Sequence, residues 1–565
     1  MTQKTKHDSF WRSAASQFRR HWLGMISLGI LALFVLVGVY APFLASSKPL
    51  VVVYDAELYF PLFRYLFYRG FFTSRLDLFF NLMIFTLPLF LLSFLLPISK
   101  RRYAIAAILT AQLLLFLFVA FRQPYDPEAN PKLAQQRLKA LQPTEWKGNP
   151  LFASIPPPPT WQFELDHMSP YAKLNEVLQY RLRFEQHLRL MHYYAEYEQH
   201  VRQRDVGSNS VPSIPSLWQT DKNHEDLEIK TLQQTVQSSL EKYREAKTEL
   251  HRLRTDCGTS PSQDYCADLN KASPELRKKI LTYLQDVATH DAAKSELLYI
   301  GSRRYWLDEQ NSKISFIMMP LFRPYHWEDD ASGEQALNQY LPWWELTRTD
   351  RKDLAAALIF GVRISIVVGL TAVALALLIG IPIGCLSGYY AGTTDMVICR
   401  LMEIWEAMPT FFMLLLVISV LQSKSIFLVI AIIGLFGWTG FSRYVRGEFF
   451  KQRNLPYVEA CRAQGFNDSY IIFSHILPNA IPPLLTLLPF AIMGAIGTEA
   501  GLSFLGLGEE GSCSWGVLMD EGRRAFPGES YLLWPPAILL TLMLVAIALV
   551  GDALRDSIDP RLHRE

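Results

Sequence analysis

Residues 359–381 read IFGVRISIVVGLTAVALALLIGI, and Arg363 is the one charged side chain in this stretch. A helix crosses the hydrocarbon core of a bilayer with about 20 mostly apolar residues. The stretch has that length, so it predicts a transmembrane helix.

Seven further stretches have the same apolar character, which predicts a polytopic membrane protein. The composition agrees, because 50% of the 565 residues are apolar and 19% are charged, which excludes a disordered chain or a disulfide-dense mini-domain. A formal net charge of +2 is too small to indicate nucleic-acid binding. We expect an all-α membrane protein with about eight transmembrane helices and a mostly helical external domain. The seven stretches are Leu23–Leu44, Leu76–Leu96, Tyr103–Phe121, Met402–Gln422, Ile426–Phe441, Ile481–Leu505 and Leu532–Val550.

Basic residues predict the orientation, because Lys and Arg accumulate in short cytoplasmic loops. They lie before the first stretch, between the second and third, between the sixth and seventh, and after the last. With eight spans these four segments share one side, so we expect both termini in the cytoplasm and the chain in a bacterial inner membrane. The first stretch is too long for a cleaved signal peptide and is expected to remain as an anchor. The basic residues are Lys4, Lys6, Arg12, Arg19, Arg20, Lys100, Arg101, Arg102, Arg443, Arg446, Lys451, Arg453, Arg462, Arg561 and Arg564.

This topology places a large polar segment, residues 122–350, outside the cytoplasm. Apolar residues at spacings of three and four predict helices over Tyr171–Arg204, Glu225–Thr255 and Ser273–Tyr299, with Pro274 at a helix start. The expected domains are a cytoplasmic tail (1–21), a first transmembrane helix (22–45), an external segment (46–75), an extra transmembrane hairpin (76–121), the external insertion (122–350) and a transmembrane domain (351–565) with a basic loop at 443–480.

Two of the six cysteines, Cys257 and Cys266, bracket a short loop in the external insertion. A loop between two helices brings its ends to the Cα separation of about 5–6 Å that a disulfide needs, and the periplasm is oxidising. A disulfide is therefore predicted there, and two unpaired cysteines at helix ends are the alternative. No second pair stands at ligand spacing, so we expect no metal site.

The basic loop contains a helix–turn–helix pattern. Residues Val458–Gln464 predict a short helix, Gly465 permits a turn, and Asp468 is typical of a second helix start. The second helix is expected to end near Leu477-Pro478. An ordinary amphipathic loop is the alternative interpretation.

This loop resembles the EAA loop of ABC-importer permeases, which couples the transmembrane subunit to its ATPase. Glu459-Ala460, Gly465 and Leu477-Pro478 stand where that pattern has them, whereas Cys461 replaces the second alanine. The resemblance covers Leu346 to the C-terminus and is to the second-subunit type of the dipeptide/oligopeptide permease family, although Arg348 stands at the position of a usual glycine. The motifs that carry it are Thr349-Asp350, Gly361–Ser365, Gly388–Gly392, Phe504–Gly508, Trp515-Gly516 and Gly551–Pro560.

A narrower resemblance is to the Yej-type subgroup, permeases for microcin C and oligopeptides. The extra hairpin and the insertion depart from that subgroup. The residues that carry this resemblance are Lys48–Leu50, Tyr54-Asp55, Tyr59–Pro61, Trp405, Met408–Thr410 and Phe436–Trp438.

The resemblance implies alternating access driven by ATP on a separate subunit. The sequence has no Gly-rich phosphate loop ending in Gly-Lys-Ser/Thr, so ATP and Mg²⁺ are expected on a partner ATPase and no cofactor on this chain. One set of core spans implies a second, different permease subunit. A periplasmic binding protein is expected to deliver a peptide cargo, so the chain is not expected to be an enzyme.

Two ionisable residues inside predicted spans are candidates for the translocation pathway, because such groups usually face the bundle interior. Glu499 is the stronger candidate, with a structural role as its alternative. Arg363 would contact an anionic peptide terminus or, as the favoured interpretation, extend its side chain to the membrane surface.

Two other functions are kept open. A periplasmic enzyme is disfavoured, because the sequence has no His-Glu-x-x-His or Gly-x-Ser-x-Gly motif. A degenerate permease that serves as a membrane scaffold is the second alternative, and the intact Glu459–Pro478 segment argues against it.

Overall fold

The computed structural model describes residues 14–122, 149–152, 169–182, 185, 214–331, 338, 341–421 and 423–558, without the side chains of 98, 99, 214–228 and 299. Most of the expected helix Tyr171–Arg204 lies outside these residues, as do Lys4, Lys6, Arg12, Arg561 and Arg564. The longer helices with both ends described are α1 (Trp22–Val39), α2 (Arg75–Ser93), α3 (Ile98–Phe121), α4 (Ile214–Thr259), α5 (Pro274–Ser312), α6 (Leu354–Tyr390), α7 (Gly392–Glu406), α8 (Thr410–Leu421), α9 (Ile426–Gln452), α10 (Pro456–Ala463), α11 (Leu477–Leu485), α12 (Leu488–Leu502), α13 (Trp515–Ala525) and α14 (Trp534–Ile558).

The shorter elements connect these helices. Three strands are β1 (Val51–Tyr54), β2 (Glu57–Tyr59) and β3 (Ile314–Met318). Short helices, 3₁₀ turns and π-helical segments are Ala41–Leu44, Pro61–Tyr65, Pro150–Phe152, Asp264–Ala267, Leu269–Lys271, Trp343–Glu345, Asp468–Tyr470, Ile471–Ile476, Ser503–Leu507 and Ser530–Leu532.

Seven helices of the described chain are long and apolar enough to cross a membrane, or eight if one bent pair is a single span. This confirms the expected polytopic all-α membrane fold. The expected span Met402–Gln422 is the exception, because it is divided between α7 and α8, which meet at 67°. The break falls just before Pro409, which lacks an N–H and disfavours helical backbone at the residue before it. The candidate spans are Trp22–Val39, Arg75–Ser93, Lys100–Phe121, Leu354–Tyr390, Ile426–Gln452, Leu488–Leu507 and Ser530–Ile558.

The chain divides into two compact units. The membrane unit comprises Met1–Pro49, Phe71–Gln123 and Met319–Glu565, and the insertion unit comprises Leu50–Gly70 and Pro124–Met318. The expected insertion ran over 122–350, so its last part lies instead in the membrane unit. The physical reason is backbone pairing, since the N–H groups of Leu321 and Phe322 donate to the carbonyls of Phe43 and Leu44 at 3.1 and 3.0 Å.

The central packing of the membrane unit is the contact between α6 and α9. Gly380, Gly384 and Gly388 recur every four residues on α6 and face α9. A methyl group added at Gly384 would lie 2.6 Å from the carbonyl oxygen of Ser442. Small residues at this spacing let two transmembrane helices approach closely, so glycine is required at this contact.

The extra hairpin is formed by α2 and α3. A polar network joins the two helices, since the Thr86 hydroxyl donates to Gln112 Oε1 at 2.7 Å and Gln112 Nε2 donates to the Phe79 carbonyl at 3.0 Å. α2 also contacts α1 and α6. The hairpin is therefore an integral part of the membrane unit.

The insertion unit combines a helical hairpin with a small sheet. α4 packs against α5, and the Ser273 hydroxyl caps α5 ahead of Pro274, as predicted. β1 is the central strand and pairs antiparallel with β2 and β3. The all-α prediction missed this sheet because its strands are three to five residues long and β3 lies far along the chain from β1.

Cys257 and Cys266 form a disulfide at the end of the helical hairpin, with their Cα atoms 5.5 Å apart. Cys257 is buried in an apolar cluster with Leu250, Ile280 and Leu284. The bridge closes the loop that joins α4 to α5.

Replacing Cys257 and Cys266 together with alanine is expected to reduce local stability by about 2–4 kcal/mol, because the bridge restricts the unfolded chain. Thermolysin should then cleave near the α4–α5 loop, while the parent protein resists. Cys399→Ala is the control, because Cys399 is an unpaired cysteine of the membrane unit. Maleimide labelling of both Cys257 and Cys266 in the unreduced parent protein would contradict the assignment.

Candidate functional site

The basic loop of the sequence is built around the eight-residue helix α10. Pro456 occupies its first turn, where a missing N–H has no helical partner to lose. Val458 and Cys461 are buried on one face, whereas Glu459 and Ala460 are exposed. The helix therefore packs by one face and presents the other. Residues 443–452, expected in this loop, belong to α9.

Gly465 ends α10 in the conformation that the sequence predicted. Its φ is +76°, which is a left-handed geometry that glycine adopts without strain. The N–H of Gly465 donates to the Arg462 carbonyl at 3.0 Å, and the N–H of Phe466 donates to the Cys461 carbonyl at 3.2 Å. This pair of bonds is a Schellman motif, and it fixes the direction in which the chain leaves the helix.

The second helix does not end at Leu477-Pro478, which corrects the prediction. A short helical turn at Asp468–Tyr470 continues through the π-helical segment Ile471–Ile476 into α11, which reaches Leu485. A proline inside an α-helix removes one hydrogen bond and clashes with the preceding turn. The wider π-helical turn directly before Pro478 opens the hydrogen-bond ladder there, so the helix continues.

Two contacts attach this segment to the end of α6. The Tyr389 hydroxyl donates to Asp468 Oδ1 at 2.6 Å, and the Arg462 guanidinium lies 5.0 Å from the centre of the Tyr389 ring. The sequence motif Gly388–Gly392 marked this place but assigned Tyr389 no role. Burial raises the pKa of the neighbouring Tyr457 phenol, whose hydroxyl donates to Gln452 Oε1 at 2.7 Å.

The outer face of the segment carries small and aromatic side chains, and we call it the coupling surface. Phe466, Tyr470 and Phe473 are 42%, 49% and 56% exposed. The rings of Phe466 and Tyr470 are in contact, with centroids 5.2 Å apart. Contiguous exposed apolar patches are typical of protein interaction sites. The residues of the coupling surface are Glu459, Ala460, Ala463, Gly465, Phe466, Tyr470 and Phe473.

Glu499, a candidate for the translocation pathway, is buried in α12. Its Oε1 accepts hydrogen bonds from the Ser503 and Ser514 hydroxyls at 2.8 and 2.6 Å. These contacts join α12 to the residue that precedes α13. The pathway role of Glu499 stays a prediction.

Arg363 does not extend to the membrane surface, which corrects the favoured interpretation. Its side chain is buried, with Nη1 2.6 Å from Asp77 Oδ1 and Nη2 donating to Asn81 Oδ1 at 3.0 Å. Nε donates to the Gly38 carbonyl at 2.7 Å. A buried guanidinium requires such acceptors, and the extra hairpin supplies two of them. Sequence reasoning gave Asp77 and Asn81 no role, although a carboxylate inside an apolar stretch is a signal for a buried partner.

Comparison with known proteins identifies the membrane part of the chain. Residues 380–564 match the family described as binding-protein-dependent transport system inner membrane component, and residues 9–61 match the N-terminal TM domain of oligopeptide transport permease C. The oligopeptide transport system permease protein OppC of Bacillus subtilis is 34% identical over 256 residues, which are 44% of this chain and 84% of that protein. The chain belongs to the oligopeptide-permease family. The segments that carry the coupling surface and Glu499 lie inside the region 380–564 that matches the transport-system family.

One further relative and one solved structure differ in how far the likeness extends. The peptidoglycan transport system permease protein YejE of Agrobacterium fabrum is 38% identical to this chain over 219 residues, which are 39% of this chain. The chain spans 57% of that protein's length. A solved structure of the MetNI methionine ABC transporter in an inward-facing conformation has a TM-score of 0.31 and 16% identity, covering 36% of this chain and 96% of that one. Neither family match includes residues 62–379, which contain the extra hairpin, most of the insertion unit and most of α6.

Proposed function

We propose that this chain is the transmembrane permease subunit of an ATP-driven importer for peptides or peptide-like compounds. The observation that carries the proposal is the coupling surface, an ordered and exposed helix–turn–helix inside the matched region. The relatives named above as oligopeptide and peptidoglycan permeases support a peptide-like cargo. The chain itself performs no chemistry.

The proposed orientation follows from the basic loops and the alternation of spans. The coupling surface and both termini face the cytoplasm of a bacterial inner membrane, and the insertion unit faces the periplasm. The buried face of α10 packs against the rest of this chain. Its exposed face is therefore available to another protein. The proposed partners are a separate ATPase that binds ATP and Mg²⁺, a second permease subunit in a heterodimer, and a periplasmic binding protein.

The geometry indicates how nucleotide-driven motion would enter the membrane. A displacement of α10 is transmitted to α6 through Tyr389, which contacts both Asp468 and Arg462. The close backbone contact between α6 and α9 then moves these two helices together. Alternating access requires such rigid bodies, because packed interfaces shift as units rather than deform continuously.

The test is purification in mild detergent, followed by identification of co-purifying chains and an ATPase assay with a mixed peptide pool. We expect an ATPase, a second permease and peptide-stimulated hydrolysis. Recovery of envelope proteins without an ATPase would favour the scaffold function instead.

Replacing Gly465 with valine is expected to reduce peptide-stimulated ATP hydrolysis about tenfold or more, which corresponds to at least about 1.4 kcal/mol of coupling. A β-branched residue at a φ of +76° is strained by about 1–3 kcal/mol, and an exposed turn relieves the strain by redirecting α10. Gly447→Val is the matched control, since a side chain at Gly447 meets no atom within 4 Å and its φ is not positive. Normal stimulation in Gly465→Val with normal assembly would exclude the coupling role.

A further inference from the structure

A cavity of about 550 Å³ lies within the membrane unit, at the N-terminal ends of α2, α6 and α9. Its volume is within the range of about 300–1,000 Å³ that small-molecule sites occupy. The lining residues are 73–77, 327–328, 352, 360, 363–364, 425–427 and 509–513. The lining residues before position 380 lie outside both family matches, although Arg363 and Ile364 belong to the motif Gly361–Ser365.

The floor of the cavity is the buried network around Arg363, and it is saturated. Each of the three guanidinium nitrogens already donates to an acceptor: Nε to Gly38, Nη1 to Asp77 and Nη2 to Asn81. The Trp327 indole donates to Asp77 Oδ2 at 3.4 Å. The floor therefore presents no net charge to a ligand, and ligand selection must come from the walls.

Two carboxylates in the walls are held in position by one oxygen each. Glu509 Oε2 accepts a hydrogen bond from the Ile426 N–H at 3.2 Å, and Glu328 Oε1 accepts one from the Thr73 hydroxyl. The second oxygen of each carboxylate has no hydrogen-bond partner among the described residues. Burial raises the pKa of Glu328, whereas the Thr73 hydroxyl and the charge of Lys352 lower it. A bound cation would stabilise the ionised form further.

One wall cation also has no partner in the part of the chain that the structure describes. Arg75, at the start of α2, makes no hydrogen bond or ion pair with any described residue, although it lines the cavity. The other wall cations are engaged, since Lys352 Nζ is 3.3 Å from Asp350 Oδ2. At the rim, Lys424 Nζ is 2.5 Å from Glu510 Oε1, and this ion pair lowers the pKa of Glu510.

Apolar surface lies between the charges. Phe360 and Trp327 are buried and line the cavity, and Phe427 lines it with half of its surface exposed. A ligand that matches the walls needs one positive end, one negative end and an apolar middle. A ligand with a single charge would leave the opposite wall charge unmatched, which electrostatic complementarity disfavours.

We propose that this cavity binds a short zwitterionic peptide, with its carboxylate on Arg75 and its ammonium group on Glu328 and Glu509. The proposal rests on the proposed function for its context, since the site would then receive cargo on the periplasmic face. Ligand binding itself can be measured without transport, so the two proposals can fail separately.

The experiment is isothermal titration calorimetry of the purified full chain with its co-purifying subunits and without a binding protein. The probes are trialanine, its N-acetyl form and its C-terminal amide. The variants are Arg75→Ala and Glu328→Gln/Glu509→Gln. Arg102→Ala is the matched control, because Arg102 is an exposed arginine of the same hairpin that does not line the cavity.

We expect trialanine to bind and each blocked form to bind at least about tenfold more weakly, or about 1.4 kcal/mol. Arg75→Ala should weaken binding of trialanine to the level of the amide and leave the amide unchanged. The variant Glu328→Gln/Glu509→Gln should weaken binding of trialanine to the level of the N-acetyl form and leave binding of the N-acetyl form unchanged. Arg102→Ala should bind all three probes as the parent protein does.

Three results would overturn the proposal. The first is that trialanine does not bind. The second is that trialanine, its N-acetyl form and its amide bind with equal affinity. The third is that Arg75→Ala releases anionic lipid while peptide binding is unchanged. In the last case Arg75 is a lipid-headgroup contact. Peptide-stimulated ATP hydrolysis without trialanine binding would reject this site alone, whereas trialanine binding without an ATPase partner would reject the proposed function alone.

Discussion

Replacing Asp77 with alanine is expected to destabilise the protein by about 3–5 kcal/mol, the usual consequence of leaving one member of a buried ion pair alone. The carboxylate lies 2.6 Å from Arg363 Nη1, and both side chains are almost fully buried. Without the Asp77 carboxylate, the guanidinium keeps only neutral acceptors, from Gly38, Val39, Asn81 and the backbone carbonyl of residue 77. Those acceptors compensate a buried charge poorly.

Arg363→Met should destabilise the protein by a similar amount, because it leaves the carboxylate unpaired. The double variant Asp77→Leu/Arg363→Met should recover at least half of the loss, since replacing both ions with apolar groups is often neutral. Stability is measured by thermal unfolding in detergent with a thiol-reactive dye, which reports exposure of the buried cysteines Cys385, Cys461 and Cys513.

Glu403→Ala is the control for the ion pair. Arg400 Nη1 lies 2.5 Å from Glu403 Oε2, but both side chains are more than half exposed. Exposed ion pairs contribute little to stability. If Asp77→Ala unfolds at the same temperature as Glu403→Ala, or if the double variant is as unstable as the sum of the two single variants, the extra hairpin is not attached through this pair.

Replacing Gly384 with valine is expected to prevent the native contact of α6 with α9. The first added carbon would lie 2.6 Å from the Ser442 carbonyl oxygen and 2.9 Å from Val445 Cβ. Neither neighbour is the end of a flexible side chain, so the helices must separate. Overpacking of this kind costs about 1–3 kcal/mol for one or two added carbons, and separation of this central helix pair adds the loss of neighbouring contacts.

Gly440→Val is the matched control, because Gly440 lies on α9, is exposed, and would meet no atom within 4 Å of an added carbon. Gly384→Val should give a lower yield of monodisperse protein and a lower unfolding temperature than Gly440→Val. Equal behaviour of the two variants would show that α6 and α9 are not in close contact at Gly384.

Local sequence patterns predicted the spans and the turn at Gly465. Span length follows from the thickness of the bilayer, and a left-handed helix terminus favours glycine, so neighbouring residues carry both signals. The same reasoning failed at Leu477-Pro478, where it treated proline as a helix end. It also predicted a span over Met402–Gln422 without predicting that the helix bends at Pro409.

The candidate site also combines features that local sequence patterns predicted with features that they did not. The sequence located the coupling surface and Gly465 but not the attachment through Tyr389, which lies 79 residues from Asp468. Arg363 was recognised as a charge inside a span, but the interpretation that it reaches the membrane surface was wrong. Its partner Asp77 is 286 residues away along the chain, and no local pattern relates two such positions.

By itself, the sequence determined that this chain is a polytopic helical membrane protein with a helix–turn–helix in its basic loop, because hydropathy, caps and turns depend on residues close together in the chain. Only the tertiary structure decided that the extra hairpin belongs to the membrane unit and that β1 pairs with β3. The cavity between Arg75, Glu328 and Glu509 was likewise decided by tertiary structure. The physical reason is that ion pairs, strand pairing and cavity walls depend on distances in space, and these are set by packing between segments hundreds of residues apart.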